Sequence, residues 1–462
     1  MCRKRGAGNG LLVRLLVVTI LACALLGVGA PVAGASSGVR FGIQDDAWLV
    51  HGPGTLDDRL DRLERLGVDL VRFNLHWGRI EPVRGELTWE ESDLVLQGLH
   101  SRGIPAVVGI VGSPRWANGG RTPNFAPGAS SFAGLARTAA TRYRFVSQWL
   151  IWNEPNQARW LRPTTPAVYV RQLLNPAYAA IHAANPRAQV AGGVTAPRAS
   201  TGGVSPVAWI RGMRSAGARL DAYAHHPYPS SNRETPFTGG CGHCATITMA
   251  TLERLLAEVS RAFGSKRIWL SEYGYQTGRY GVTQQRQAEL IGQSGLRVYK
   301  APRIDMLIHY LVKDEPEAGR FQSGLFQNSG RPKLAALAFP LPLAQAGRSG
   351  SQLVLWGQVR PRTGTQTFRV QVRTGSRAWR FSGSVRRTDA RGFFSLAVPA
   401  ARGTAVRSTR RRTVPTAPRS SRASYRSAAY TTIATRIAIG IQESRSTLKA
   451  RASPRAGPGS GV

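Results

Sequence analysis

The chain has 462 residues, 42% of them hydrophobic, which is enough for one barrel-sized domain with a large core and a smaller companion. Its formal net charge is +37, yet only six of the 62 basic residues are Lys. The arginines are spread along the chain without a nucleic-acid motif, a bias that more often reflects coding composition than function, so no nucleic-acid partner is expected, while the charge favours contact with anionic cell-surface polymers.

Residues 1–35 carry Arg3, Lys4 and Arg5, then an apolar run over 11–28 broken only by Arg14, then Ala33-Gly34-Ala35. This is the pattern of a secretory signal removed after Ala35, and a secreted protein is expected. Rival readings are an uncleaved membrane anchor and lipid attachment at Cys23. No later stretch is long and apolar enough to span a bilayer, so no stable membrane insertion is expected after cleavage.

From residue 39 onward, strands and helices alternate. Residues 39–47 read as a first strand ending in Asp45-Asp46, and 56–66 as an amphipathic helix closed by Gly67. A second strand over 68–77 carries Arg72, Asn74, His76 and Trp77 towards its end. The helix at 89–102 stops at Gly103, and the third strand, 104–111, leads into a loop containing Trp116. After a helix at 130–143, the run 145–152 has the length and aromatic or β-branched content of a buried strand. Pro155 has no N–H and disfavours helix before it, so this fourth strand stops at Trp152-Asn153-Glu154.

The alternation continues with helix 166–185, strand 189–194, helix 207–216 and strand 220–225, which leads into His226-Pro227-Tyr228. Helix 249–263, strand 267–271, helix 284–298, strand 304–312 and helix 332–339 complete it. Eight strand-then-helix units over 36–340 predict an α/β fold of the (β/α)8 TIM-barrel type, and no glycine-rich dinucleotide fingerprint follows the first strand. Beyond residue 340 the texture changes. Short strand-like runs at 352–359, 367–372, 379–385 and 393–398 predict a small, incomplete β-sandwich module over 341–400. Residues 401–462, rich in Arg, Ser, Thr, Ala and Pro, read as a disordered basic tail.

Of four cysteines, Cys2 and Cys23 leave with the signal. Cys241 and Cys244 remain, and in an exported chain they read as a local disulfide pinning a loop. A zinc site needs two further ligands, with only His225, His226 and His243 nearby, and a redox motif needs a thioredoxin-like βαβ pattern. No metal or other cofactor is expected.

Two glutamates end strands: Glu154 at the fourth and Glu272, in Trp269-Leu270-Ser271-Glu272-Tyr273-Gly274, at the seventh. In a closed eight-stranded barrel these tips face each other across the mouth where catalytic groups gather. Glycosidic cleavage needs such a pair, one carboxyl to protonate the leaving oxygen and one to meet the oxocarbenium-like centre.

The two motifs WNEPN and WLSEYG, in this order on strands four and seven, resemble those of the clan A glycoside hydrolases, notably the cellulase-like family five and the β-xylosidase-like family thirty-nine. The resemblance covers about 39–340. It implies retaining double displacement on a β-linked glycoside or polysaccharide, with Glu154 as acid/base and Glu272 as nucleophile. It further implies that Asn153 meets the sugar 2-hydroxyl, that Arg72 supports the nucleophile, and that His226 and Tyr228 contact nucleophile and sugar. For these roles Glu272 must stay ionised and Glu154 must hold its proton near neutral pH. Trp77, Trp116 and Trp152 are candidates for stacking on sugar faces, against the commoner role of core packing. His76 and His309 read as packed or structural, and Asp45, Asp46, Asp314 and Glu315 as solvated or substrate-binding groups near the rim. Many clan members carry a tryptophan at the tip of strand eight; this chain has His309-Tyr310 there, with Tyr310 the candidate for sugar contact. The expected partner is a carbohydrate substrate and the expected state a monomer. The alternatives are a barrel that binds carbohydrate without cleaving it and a basic surface-adhesion protein.

Overall fold

The computed structural model describes residues 36–316, 320–361, 364–399 and 404–410. The signal assigned to 1–35 and the tail beyond 410 lie outside these residues. Two compact units are found, one up to Pro340 and one from Leu341.

In the first unit, β1 (Arg40–Gln44), β2 (Leu70–His76), β3 (Ala106–Val111), β4 (Gln148–Ile151), β5 (Gln189–Thr195), β6 (Ala222–His225), β7 (Arg267–Tyr273) and β8 (Ile304–Tyr310) form a closed barrel in chain order. All neighbours are parallel, and β8 closes on β1 through pairs such as Phe41 with Leu307. Strands covered on both faces are apolar along most of their length, and β3 (AVVGIV) and β4 (QWLI) are buried at every position. Leu70, Val107, Leu150, Ala191, Ala222, Trp269 and Met306 join one buried residue from each of seven strands into a single cluster. The helix Leu56–Leu66 opens with a capping box between Thr55 and Asp58 and ends at Gly67, whose φ of 68° closes the last turn as glycine allows. Among the described residues, no helix is long and apolar enough to cross a membrane.

Several boundaries differ from expectation. β1 ends at Gln44, because Asp45 accepts the Trp48 N–H and caps a helix over Asp46–His51. β4 excludes Phe145, which is part-exposed and stacks on His100 with ring centroids 4.2 Å apart. The helix expected over 166–185 contains a π-helical segment, Tyr169–Leu174. β7 runs on through Glu272 and Tyr273.

The second unit has a three-stranded sheet of β9 (Leu343–Ser349), β10 (Gln352–Gln358) and β14 (Phe393–Pro399). In a second sheet, β11 (Thr367–Thr374) pairs with β12 (Arg380–Phe381), β13 (Arg386–Arg387) and β15 (Thr404–Arg410). Leu353, Leu355, Phe394 and Val398 from the first sheet pack with Phe368, Val370 and Val406 from the second. Two expectations are corrected. The strand at 379–385 shrinks to Arg380–Phe381, and residues 404–410, expected in the tail, form a strand paired with β11 over seven residues. Val406 explains the latter, since it fills the core while polar neighbours hide the alternation in the sequence.

Candidate active site

The site is built outward from Arg72, a fully buried guanidinium on β2. An unpaired charge at that depth is costly, so its partners define the arrangement. Nη1 donates to Glu272 Oε2 at 3.1 Å, to the Ser271 carbonyl at 3.0 Å and towards His226 Nε2 at 3.1 Å. Nη2 donates to Asn153 Oδ1 at 2.6 Å and reaches Asn74 Oδ1 at 3.4 Å. One side chain thus ties together the ends of β2, β4, β6 and β7. Asn74 in turn donates to Asp46 Oδ2 at 2.7 Å. β3 carries Gly109 beside it because a Cβ there would lie 2.2 Å from Asn74 Oδ1.

Glu154 lies three residues beyond the end of β4. Trp152 and Glu154 both have positive φ, 71° and 40°, a conformation that costs a non-glycine residue about 1–3 kcal/mol. The turn is held by the Glu154 N–H donating to the Val194 carbonyl at 2.9 Å and by Gln157 N–H donating to the Glu154 carbonyl at 2.9 Å. This backbone turns the carboxyl into the mouth and leaves it buried.

There Glu154 Oε1 meets His226 Nδ1 at 3.1 Å and Oε2 accepts from Arg159 Nη2 at 2.9 Å. Arg72 can only donate, so His226 Nε2 is an acceptor and the proton sits on Nδ1, directed at Glu154. Burial pushes the Glu154 carboxyl up, but the hydrogen bonds from His226 and Arg159, with the Arg159 charge, outweigh it and hold it below the usual carboxylate range. This corrects the expectation that Glu154 holds a proton near neutral pH: in the resting site it is ionised. Glu272 is held on both oxygens, Oε1 by the Tyr228 hydroxyl at 2.8 Å and Oε2 by Arg72. Burial and the Glu272 carboxylate push the Tyr228 phenol well above its usual range, so it stays a donor. A carboxylate oxygen of Glu154, one of Glu272 and a ring nitrogen of His226 all lie within 4.8 Å of one another.

The six residues Glu154, Glu272, Arg72, Asn153, His226 and Tyr228 are therefore brought together. Tyr310 lines a cavity of about 1430 Å³ together with Asn153, Glu154, Tyr228 and Glu272, and packs edge-on against Phe321 at 5.0 Å. The tryptophans are a different matter. Trp77 is fully buried, donates to Glu81 and packs against Trp116 and Phe132; Trp116 donates to the Glu81 carbonyl; Trp152 is buried and donates to the Trp160 carbonyl. None of the three lines the cavity, which overturns their candidacy for sugar stacking, whereas Trp160 does line it. Trp160 and Arg159 were missed because attention to strand tips stops short of a loop five and six residues past Glu154.

His309 is buried against the Ser323 carbonyl, and Asp314 pairs with Lys333 Nζ at 2.7 Å, so both are structural. Asp45 is also structural, accepting the Val312 and Lys313 N–H groups that follow β8. Asp46, His76 and Glu315 line the cavity. Cys241 and Cys244 are joined in a disulfide, which removes the thiolates a metal would need even with His243 alongside. Glu154, His226 and Glu272 also offer three ligand atoms, but the Arg72 guanidinium directed at His226 and Glu272 opposes a second cation there.

No protein-family model and no curated protein matches the chain. Solved structures do. The GH39 enzyme from Xanthomonas axonopodis pv. citri superposes with a TM-score of 0.54 at 15% identity, covering 81% of this chain and 94% of that one. A monomeric β-xylosidase from Caulobacter crescentus CB15 gives 0.53 at 14%, covering 81% and 96%. A glucosidase from Croceicoccus marinus gives 0.55 at 12%, covering 81% and 96%. At such identities the likeness shows a shared fold.

Proposed function

We propose that the chain is a secreted glycoside hydrolase that cleaves a β-linked glycoside by retaining double displacement, with Glu272 as nucleophile and Glu154 as acid/base. The observation that carries this reading is the approach of the two carboxylates to within 4.8 Å. That approach of one oxygen from each group accords with the about 5–5.5 Å carboxyl separation of direct attack better than with the roughly 6.5–9.5 Å of an inverting pair. The names of the structural neighbours, a β-xylosidase and a glucosidase among them, accord with it.

In this reading the sugar lies over Glu272 and Asn153. Asn153, whose oxygen is taken by Arg72, presents its NH2 to the 2-hydroxyl. Arg72 and Tyr228 hold the Glu272 carboxylate by one oxygen each and keep it aimed as it bonds the anomeric carbon. Glu154 delivers a proton to the departing oxygen, then takes one from the water that releases the sugar from Glu272. His226, donating to Glu154 from Nδ1, positions the carboxyl through both steps. The test is hydrolysis of a panel of 4-nitrophenyl β-glycosides by wild type, Glu272→Ala and Glu154→Ala. Both variants should lose most activity, with azide restoring part of it in Glu272→Ala. Full activity in either variant ends the assignment.

A further inference from the structure

The ion pair between Arg159 and Glu154 raises a question the reading above leaves open, and the inference here rests on that reading. Glu154 Oε1 faces His226 and, beyond it, Glu272; Oε2 faces Arg159. A sugar seated over Glu272 and Asn153 puts its leaving group on the other side of Glu154, where Arg159 stands. The Arg159 side chain is 67% exposed while that of Glu154 is 6% exposed, so the arginine is the partner free to move. Arg198, on the loop after β5, lines the same cavity, with Nη2 donating to the Pro229 carbonyl at 2.8 Å. Apart from Glu154 and Glu272, the acidic lining residues Asp45, Asp46, Glu90, Glu91 and Glu315 follow β1, β2 and β8, not the loops after β4 and β5 that carry the two arginines.

We propose that this side of the cavity takes a leaving group bearing a carboxylate, which draws Arg159 off Glu154. The exchange replaces one carboxylate partner of Arg159 with another of the same geometry, so the guanidinium stays paired. Glu154, relieved of the ion pair, keeps only the His226 hydrogen bond on its other oxygen and has Oε2 free to carry the proton it must deliver. With a neutral leaving group the arginine has no such replacement, and the ionised Glu154 remains favoured. Arg159 is thus a specificity-determining residue.

The test compares 4-carboxyphenyl with 4-carbamoylphenyl β-xylosides, β-glucosides and β-mannosides on wild type, Arg159→Gln and Arg159→Lys. The carboxylate member should be preferred in kcat/KM by about tenfold in the wild type, the scale of one hydrogen bond between charged groups. The preference should vanish in Arg159→Gln and return in part in Arg159→Lys. NMR titration with 4-hydroxybenzoate and 4-hydroxybenzamide reads the same preference without turnover, and it too should vanish in Arg159→Gln. If no glycoside is hydrolysed, the glycosidase reading falls, while the titration still decides this inference. Equal handling of the two members by the wild type, or a preference untouched in Arg159→Gln, overturns it.

Discussion

The guanidinium of Arg72 and the carboxylate of Glu272, 200 residues apart in the chain, meet at 3.1 Å in the barrel mouth. The same guanidinium orients Asn153, so one substitution disturbs both the nucleophile and the group facing the sugar. Arg72→Met should lower kcat/KM by about 100- to 1,000-fold, as loss of a preorganised donor does. It should also destabilise the fold by about 3 kcal/mol, because Glu272 is left buried without its countercharge. Steady-state kinetics and urea midpoints check the two effects together.

Trp160 and Trp77 separate cavity from core. Trp160→Ala should raise KM with little change in thermal midpoint, since the ring lines the cavity. Trp77→Ala should cost about 3–5 kcal/mol of stability, the usual penalty for emptying a buried tryptophan site. Kinetics on whatever remains folded should show KM unchanged.

Asp45 makes stability depend on pH. Burial pushes its carboxyl from 3.8 up to about 7, against the backbone N–H groups of Lys313 and Trp48 that pull it down. The folded chain therefore keeps this proton longer than the unfolded one, and stability falls as pH rises from about 4 to about 7. Asp46, raised to about 6 mainly by burial, acts in the same direction. Asp45→Asn should remove about 3 kcal/mol of the pH dependence of unfolding free energy in that window, read from urea midpoints. An unchanged slope would show that Asp45 is ionised throughout.

Cys241→Ser should cost little. The bridge closes a loop with a sequence separation of only 3, so the chain-entropy gain is about 2 kcal/mol at most. The cysteines do not line the cavity, and activity should persist under reducing conditions.

Much of this was legible in the sequence because barrel strands buried on both faces leave nearly uninterrupted apolar runs, and Pro155 marks where one stops. Asn153, His226, Tyr228 and the two glutamates were legible because each sits at or just past a strand end, and Arg72 because it is a charged residue within the buried run of β2. The tryptophans were not, since stacking on sugar and packing in the core call for the same side chain; Trp77 and Trp116 are instead held by hydrogen bonds to Glu81, and Trp152 by one to the Trp160 carbonyl. The ionised state of Glu154 was hidden for a related reason. It depends on His226, from the end of β6, and on Arg159, which a loop folds back onto the carboxyl, and no periodicity records such contacts. Strand β15 was hidden by its own composition, Thr, Ser and Arg outnumbering the single buried Val406.

The central claim is that Glu272 bonds to the sugar. Treatment with 2,4-dinitrophenyl 2-deoxy-2-fluoro-β-glycosides, followed by mass spectrometry of the intact protein and its peptides, tests it most directly. A single fluorosugar on the peptide containing Glu272, absent in Glu272→Gln, is the predicted result. A label on Glu154 or elsewhere, or no label from a sugar series whose unmodified 4-nitrophenyl glycosides are hydrolysed, would contradict it.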